Sequence, residues 1–313
     1  MRRFTPAILA LTVMVGLTAG CADDDATAEQ GSVTGRVPVV ATTTQLADFA
    51  RVVGGNHVDV YGILKPNVDP HDYEPSPGDV TRLSAAKVIV KNGIGLEGWF
   101  DATIKNAESR AVVVEAATGV AVRRGDGHDD HDDDDDGDDP HIWHDPRNAR
   151  VMVHNIAVAL AGADPAHRGD YEANEAAYAA ELDRLDRDIA AAIAGLGNKK
   201  LVTNHDALGY YVDRYGLEFV GSIIPSFDTS AELSAADLTD IVSRIRAAGV
   251  KAVFSETSIP RKAADAIGRD AGVAVVAGDD ALYVDSLGPA GSAGDTYLRM
   301  ERHNTKVIVD HLR

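Results

Sequence analysis

The chain predicts an α/β protein of two similar lobes, each with a parallel sheet, joined by a long rigid linking helix. Three observations carry that expectation. Short Val/Ile/Leu runs alternate with amphipathic segments, the pattern of a parallel sheet covered by helices. One helical pattern persists from 164 to 196. The strand and helix order after it repeats the order before it.

The elements follow in sequence. Residues 37–44 (Val-Pro-Val-Val-Ala-Thr-Thr-Thr) form a β-rich run, and Leu46, Phe49, Ala50 and Val53 then recur at helical spacing. Residues 58–64 read as a strand, 80–86 as a helix, 87–92 as a strand, 96–108 as a helix and 111–114 as a buried strand. Asp145-Pro146 opens a helix reaching to about residue 160. Asp164-Pro165 opens the long one, with Asp164 as N-cap and Pro165 at the first helical position. Tyr171, Tyr178, Leu182, Leu185 and Ile189 supply its apolar stripe. At 1.5 Å per residue such a helix is on the order of 45 Å long, longer than a small domain is thick, so it should bridge both lobes. A coiled-coil dimer is the rival reading, but the seam is alanine-rich and carries no sustained Leu/Ile heptads.

The second half runs strand (200–204), helix (208–215), strand (217–224), helix (235–248), strand (250–255), helix (261–271). Within it Asp237-Leu238-Thr239-Asp240-Ile241 parallels Asp79-Val80-Thr81-Arg82-Leu83. The expected lobes are therefore 37–163 and 197–313, with the linking helix at 164–196.

The first residues read as an export signal. Met1-Arg2-Arg3 is a basic head, and residues 7–19 are uncharged and mostly apolar, too short to span a bilayer comfortably. Leu17-Thr18-Ala19-Gly20-Cys21 resembles a bacterial lipobox, although Thr18 stands where Leu is commoner. Residues 1–20 are thus expected to be a lipoprotein signal peptide, and Cys21, the single cysteine, the lipidated residue. Residues 21–36 are small and acidic, and read as a flexible tether. These readings place the protein on the outer face of the cytoplasmic membrane, held by a lipid anchor. A net charge of −19 argues against a nucleic-acid partner. Much of it lies between Asp126 and Asp139, which hold ten aspartates and no Lys or Arg.

Four potential ligands end apolar runs far apart in sequence. They are His71 in Asp69-Pro70-His71, His141 in Asp139-Pro140-His141, His205 in Thr203-Asn204-His205 and Asp285 in Tyr283-Val284-Asp285. Three imidazoles and one carboxylate complete a tetrahedral shell for a borderline-soft ion such as Zn2+. Open α/β sheets bind ligands beyond the carboxyl ends of their strands, which suits loops of this kind. His144 competes with His141; in an extended segment the two would point to opposite faces. His205 is read as starting a helix, with Asn204 or Asp206 able to cap it. Glu256 is read either as orienting a histidine or as satisfying a loop backbone. His57, His154, His167, His303 and His311 lack a supporting pattern and read as surface or helix-packing residues.

The segments PNVDPHDYEPSPGDV, DPHIWHDPRNA, VTNHDALGYYVDRYGL, ALYVDSLG and GDTYLRMERHNTKVI occur in this order along the chain. Through them the region from Val37 to Leu312 resembles the solute-binding proteins of bacterial zinc and manganese ABC transporters. The resemblance implies two lobes, a linking helix, and a metal site in the cleft formed by His71, His141, His205 and Asp285. It implies no enzymatic activity, a membrane permease as partner, and a monomer. It selects His141 over His144, where an apolar residue is more usual; His144 becomes an alternative ligand or a donor to one. Manganese-tuned members usually carry a carboxylate where this chain has His205, which points to Zn2+ over Mn2+. His-rich loops recur in zinc-binding members, so His128 and His131, in the Asp/His tract 125–139, are expected to add weak metal sites. A manganese or iron receptor, or an adhesin of the same fold, is the alternative. A zinc hydrolase is the more distant one, since a fourth protein ligand leaves no open position for water and no His-Glu-x-x-His is present.

Overall fold

The computed structural model describes residues 35–124 and 137–313. The segment expected to be a signal peptide, Cys21 and nearly all of the expected tether fall outside these residues, as do His128 and His131. Among the described residues, no helix is long and apolar enough to cross a membrane.

The first lobe is a four-stranded parallel sheet. β1 (Val37–Ala41) lies between β2 (Val58–Gly62) and β3 (Val88–Lys91), and β4 (Val112–Glu115) closes one edge, giving the order β2-β1-β3-β4. Val39 pairs with Val60 on one side and Val88 on the other. The apolar runs of β1 and β3 are buried on both faces, as crossover helices require. α1 (Thr44–Gly54) is capped by the Thr43 hydroxyl and buries Leu46, Phe49, Ala50 and Val53. α2 (Pro77–Ala85) and α3 (Phe100–Asn106) cover the sheet, and α4 (Pro146–Ala163) starts at Asp145, whose side chain accepts from the Arg147 N–H.

The long helix begins later than its sequence signals suggest. Pro165–His167 form a 3-10 turn, and α5 runs from Arg168 to Ala194. Asp164 does not cap the backbone with its side chain. It accepts instead from His167 Nδ1 (2.7 Å) and the Tyr171 hydroxyl (2.9 Å). α5 packs against α1 and α4 of the first lobe and against α6 (Gly209–Tyr215) and the C-terminal α9 (Tyr297–Leu312) of the second, so it does tie the two together.

The second lobe repeats the first. β5 (Lys200–His205) pairs with β6 (Glu218–Ile224), and β7 (Ala252–Phe254) with β8 (Ala274–Val276), all parallel. β5 runs beside β7 without a described ladder between them, so the order β6-β5-β7-β8 mirrors that of the first sheet. α7 (Ala235–Ala248) and α8 (Lys262–Ala271) pack on this half. The paralleled segments at Asp79 and Asp237 occupy equivalent places. Each aspartate is the third residue of its helix and completes a capping box, with Ser76 in α2 and with Ser234 in α7. Thr81 and Thr239 each donate back to the carbonyl four residues earlier, Pro77 and Ala235.

One apolar core runs through both lobes. Phe49 of α1, Leu182 of α5, Leu201 of β5, Phe254 of β7 and Ile308 of α9 belong to it. Phe49 meets Tyr297 edge to face at a centroid distance of 4.9 Å. The lobes therefore share a packed interior and are not two beads on a rod.

The two capping boxes differ in load. Asp79 also accepts from the Tyr61 and Tyr73 hydroxyls, at 2.9 and 2.8 Å, and is buried. Among the described residues, Asp237 accepts only from Ser234. Asp79→Asn should therefore cost about 1–3 kcal/mol of stability, and Asp237→Asn about 0.3–1 kcal/mol. Urea unfolding of the two variants checks the order; equal losses would show that the tyrosine bonds contribute nothing.

Candidate metal centre

Each candidate ligand is delivered by a loop or strand end that the fold holds from several sides. His71 lies in the loop between β2 and α2. Asp69 accepts from the His71 N–H (2.9 Å) through Oδ1 and from the Thr229 hydroxyl (2.6 Å) through Oδ2. Trp99 Nε1 donates to the Pro70 carbonyl (3.1 Å), and Tyr73 is fixed by Asp79. In the same loop Asn67 takes the left-handed conformation (φ 62°), which asparagine tolerates, and its N–H donates to the Ser286 hydroxyl of the second lobe (2.8 Å).

His141 repeats the Asp-Pro-His device. Asp139 Oδ1 accepts from the His141 N–H (3.0 Å), as Asp69 does for His71, and also contacts His141 Nδ1 (2.9 Å). His205 is the last residue of β5 and not the start of a helix; α6 begins at Gly209, and Leu208, which precedes it, provides no side-chain cap. Glu256 fills both roles considered for it: its Oε1 meets His205 Nδ1 at 2.9 Å and accepts from the His205 N–H at 3.1 Å. Asp285 follows a single parallel bridge, Glu256 to Leu282, where a strand-like run was expected. The carbonyl of Val284 accepts from Gln45 Nε2 (3.3 Å) and Trp143 Nε1 (3.1 Å), which anchors the Asp285 turn on the first lobe.

The fold thus brings together His71, His141, His205 and Asp285, whose ligand atoms all lie within 4.8 Å of one another. The Nε2 atoms of His71 and His205 are 3.3 and 3.4 Å from that of His141. Asp285 Oδ1 is 3.4 Å from His141 Nε2, and its Oδ2 is 3.3 Å from His205 Nε2 and 3.9 Å from His71 Nε2. A tetrahedron with arms of 2.0–2.1 Å has edges of about 3.3 Å, so most of these spacings match an ion-sized hole. His141, His205 and Asp285 are fully buried, and the His71 side chain is nearly so. Among the described residues, neither Asp285 oxygen meets a donor in hydrogen-bonding geometry. A buried carboxylate left this way calls for a cation.

His144 does not join the cluster. Residues 142–144 form a 3-10 turn where an extended segment was considered, and His144 Nδ1 contacts Glu301 Oε1 of α9 at 2.9 Å. Both side chains are fully buried. Asp139 was missed as an orienting residue, although the repeated Asp-x-His spacing at 69–71 and 139–141 was the signal for it. The role of Asp79 behind the His71 loop had no comparable signal. His57 stacks on His167 at 3.9 Å between ring centroids and contacts Asp170, a surface role as expected.

The electrostatics differ among the ligands. Burial lowers His141 below the ordinary histidine value despite Asp139 and Asp285. Burial also opposes charge on His205, but Glu256 and Asp285 overcome it and hold its proton well above that value. Burial alone would raise Asp285; the His205 charge, helped by His141 and His71, keeps it well below the usual carboxylate range.

A two-lobed α/β protein with a closed three-nitrogen, one-oxygen centre between its lobes defines a metal receptor of the solute-binding class. Residues 39–311 match the family model of the zinc-uptake complex component A, periplasmic. The chain belongs to this family of metal ABC transporter solute-binding proteins, which are extracytoplasmic metal-binding components. It is 31% identical over 305 residues to the manganese-binding lipoprotein MntA of Bacillus subtilis, covering 94% of each chain. It is 29% identical over 285 residues to the iron ABC transporter substrate-binding lipoprotein MtsA of Streptococcus pyogenes, covering 88% of this chain and 89% of that one. The structure of the periplasmic zinc-binding protein TroA from Treponema pallidum superposes with a TM-score of 0.81 at 29% identity, over 89% of this chain and 99% of that one.

The raised His205 has a consequence for the metal-free protein. Its contribution to stability is complete below the unfolded histidine value of about 6.5 and is lost as pH rises through the folded value. Asp285 works in the opposite sense: its contribution is present above about 3.9 and is lost as pH falls through its depressed value. Urea unfolding in chelator should show stability declining on the alkaline side, and Glu256→Gln should flatten that slope. An unchanged slope would mean that Glu256 does not hold the proton.

Proposed function

We propose that this chain is a high-affinity extracytoplasmic Zn2+ receptor that hands its ion to an ABC importer permease. His71, His141, His205 and Asp285 hold the ion as cargo, and no bond of a substrate is made or broken. The observation that carries the reading is the convergence of three Nε2 atoms and one carboxylate at the edge lengths of a small tetrahedron. Nitrogen-rich, four-coordinate shells suit zinc, whereas manganese favours more oxygen ligands. Resemblance to the zinc-binding TroA supports the same ion, while the named manganese and iron relatives make those metals the competing outcome.

The remaining parts of the proposal concern delivery. Cys21 carries a lipid that tethers the monomeric receptor to the outer face of the cytoplasmic membrane. The tract with His128 and His131 collects metal weakly, its carboxylates raising the local cation concentration. His144, paired with Glu301, contributes no ligand atom.

Competitive titration with chromogenic chelators tests the ion. Zn2+ should bind at one tight site and win over Mn2+ by orders of magnitude; equal affinities would defeat the zinc reading. Affinity should rise with pH, because the ion must displace the His205 proton, and calorimetry in buffers of different ionisation enthalpy should detect its release. Asp139→Asn and Glu256→Gln should each weaken binding about 10–100-fold, since each removes the partner that orients an imidazole. Replacing residues 125–136 by a short glycine–serine turn should abolish weak sites and leave the tight one.

A further inference from the structure

The stem of the acidic tract is held against the second lobe by groups that also hold Asp139. The Arg123 carbonyl accepts from the Asp139 N–H (2.8 Å), and Arg124 bridges antiparallel to Asp138. The Tyr210 hydroxyl of α6 sits across both strands of this stem. It accepts from the Arg123 N–H (2.8 Å) and donates to the Asp139 carbonyl (2.9 Å). The Arg123 guanidinium lies between two aspartates: Nη1 is 3.5 Å from Asp139 Oδ2, and Nε is 2.9 Å from Asp213 Oδ2 of α6. Asp139 is buried, and its other oxygen, Oδ1, meets His141.

The contact is close enough to restrict the residue before Tyr210. A Cβ on Gly209 would run into Arg123 Nη1 and lie 2.9 Å from Asp139 Oδ2. Gly209 is the first residue of α6, where alanine would otherwise be acceptable to the helix. It also follows His205 by four residues, so the latch connects the polypeptide around one candidate ligand to the carboxylate behind another.

From this geometry we propose that Arg123 and Tyr210, with Gly209 making room for them, are positioning residues for metal binding: they fix Asp139 on the second lobe so that His141 keeps its Nε2 aimed at the ion. Neither touches the ion, and the proposal rests on the four-ligand reading above. Arg123 fixes the carboxylate oxygen that His141 does not use, and Tyr210 fixes the backbone. The tract that Arg123 and Asp139 flank can then vary without disturbing the centre, because the latch lies at its root.

Zn2+ affinity, measured by chelator competition, tests this in Arg123→Met, Tyr210→Phe and Gly209→Ala, each also combined with Asp139→Asn. Each single variant should weaken Zn2+ binding roughly 3–10-fold, below the loss from Asp139→Asn itself. In the Asp139→Asn background each should add less than about twofold, since a residue acting through Asp139 has nothing left to position. Long-range 1H–15N spectra should show the His141 ring nitrogens shifted in Arg123→Met while those of His205 stay put, a change that a loss of general stability does not produce. Arg123→Lys should restore part of the affinity. If Arg123→Met fails to fold, Asp213→Asn releases the same guanidinium from the surface and should give a smaller loss of the same kind. Wild-type affinity in the single variants, or losses that multiply fully with Asp139→Asn, would overturn the proposal. Absence of tight Zn2+ binding by the wild type would instead defeat the zinc reading, and the same cycle would then be run with the metal that does bind.

Discussion

Everything else in this structure answers to one electrostatic constraint: three imidazoles must be held close around one buried carboxylate. His71, His141, His205 and Asp285 approach within an ion's span of one another, and the last three are fully buried. Burial opposes charge there, and unpaired polar atoms are costly. Against the burial, the charges of Glu256 and Asp285 push His205 above the ordinary histidine value. A divalent ion satisfies the same groups more fully. Crowding buried polar groups in this way is costly, and the surrounding fold must resist its relaxation.

The resistance is distributed. Two aspartates, Asp69 and Asp139, bind the backbone of the histidine two residues on; Glu256, two residues past the end of β7, does the same for His205. Behind the His71 loop stands Asp79 with two tyrosines, and behind the Asp285 turn stand Gln45 and Trp143. Cross-lobe bonds such as Asn67 to Ser286 and Asp69 to Thr229 lie directly beside the candidate ligands. Because one apolar core passes through both lobes and α5 packs on each, these bonds act between surfaces already in register.

Much of this was legible in the residues. The alternation of apolar runs and amphipathic segments predicted the strands and helices, and the Asp79 and Asp237 segments proved to be matching capping boxes. Three kinds of detail were not legible. Asp164 carries every local mark of an N-cap, but its side chain is taken by His167 and Tyr171, so the helix starts later. The residues after His205 resemble a helix start, yet β6 pairing keeps His205 in its strand. His144 sits next to Trp143 in a motif rich in metal ligands, and only its meeting with Glu301, 157 residues away, removes it from the cleft.

The sequence by itself pointed to the fold class and the internal repeat, because periodicity and capping are local properties, and it narrowed the candidate ligands to His71, His205, Asp285 and one of His141 and His144, a choice that the family resemblance made for His141. Tertiary structure decided which carboxylate orients which imidazole, which of two neighbouring histidines faces the cleft, and that the lobes share a core. Those outcomes depend on distances between residues tens to hundreds of positions apart, and such distances exist only once the sheets, α5 and α9 have packed.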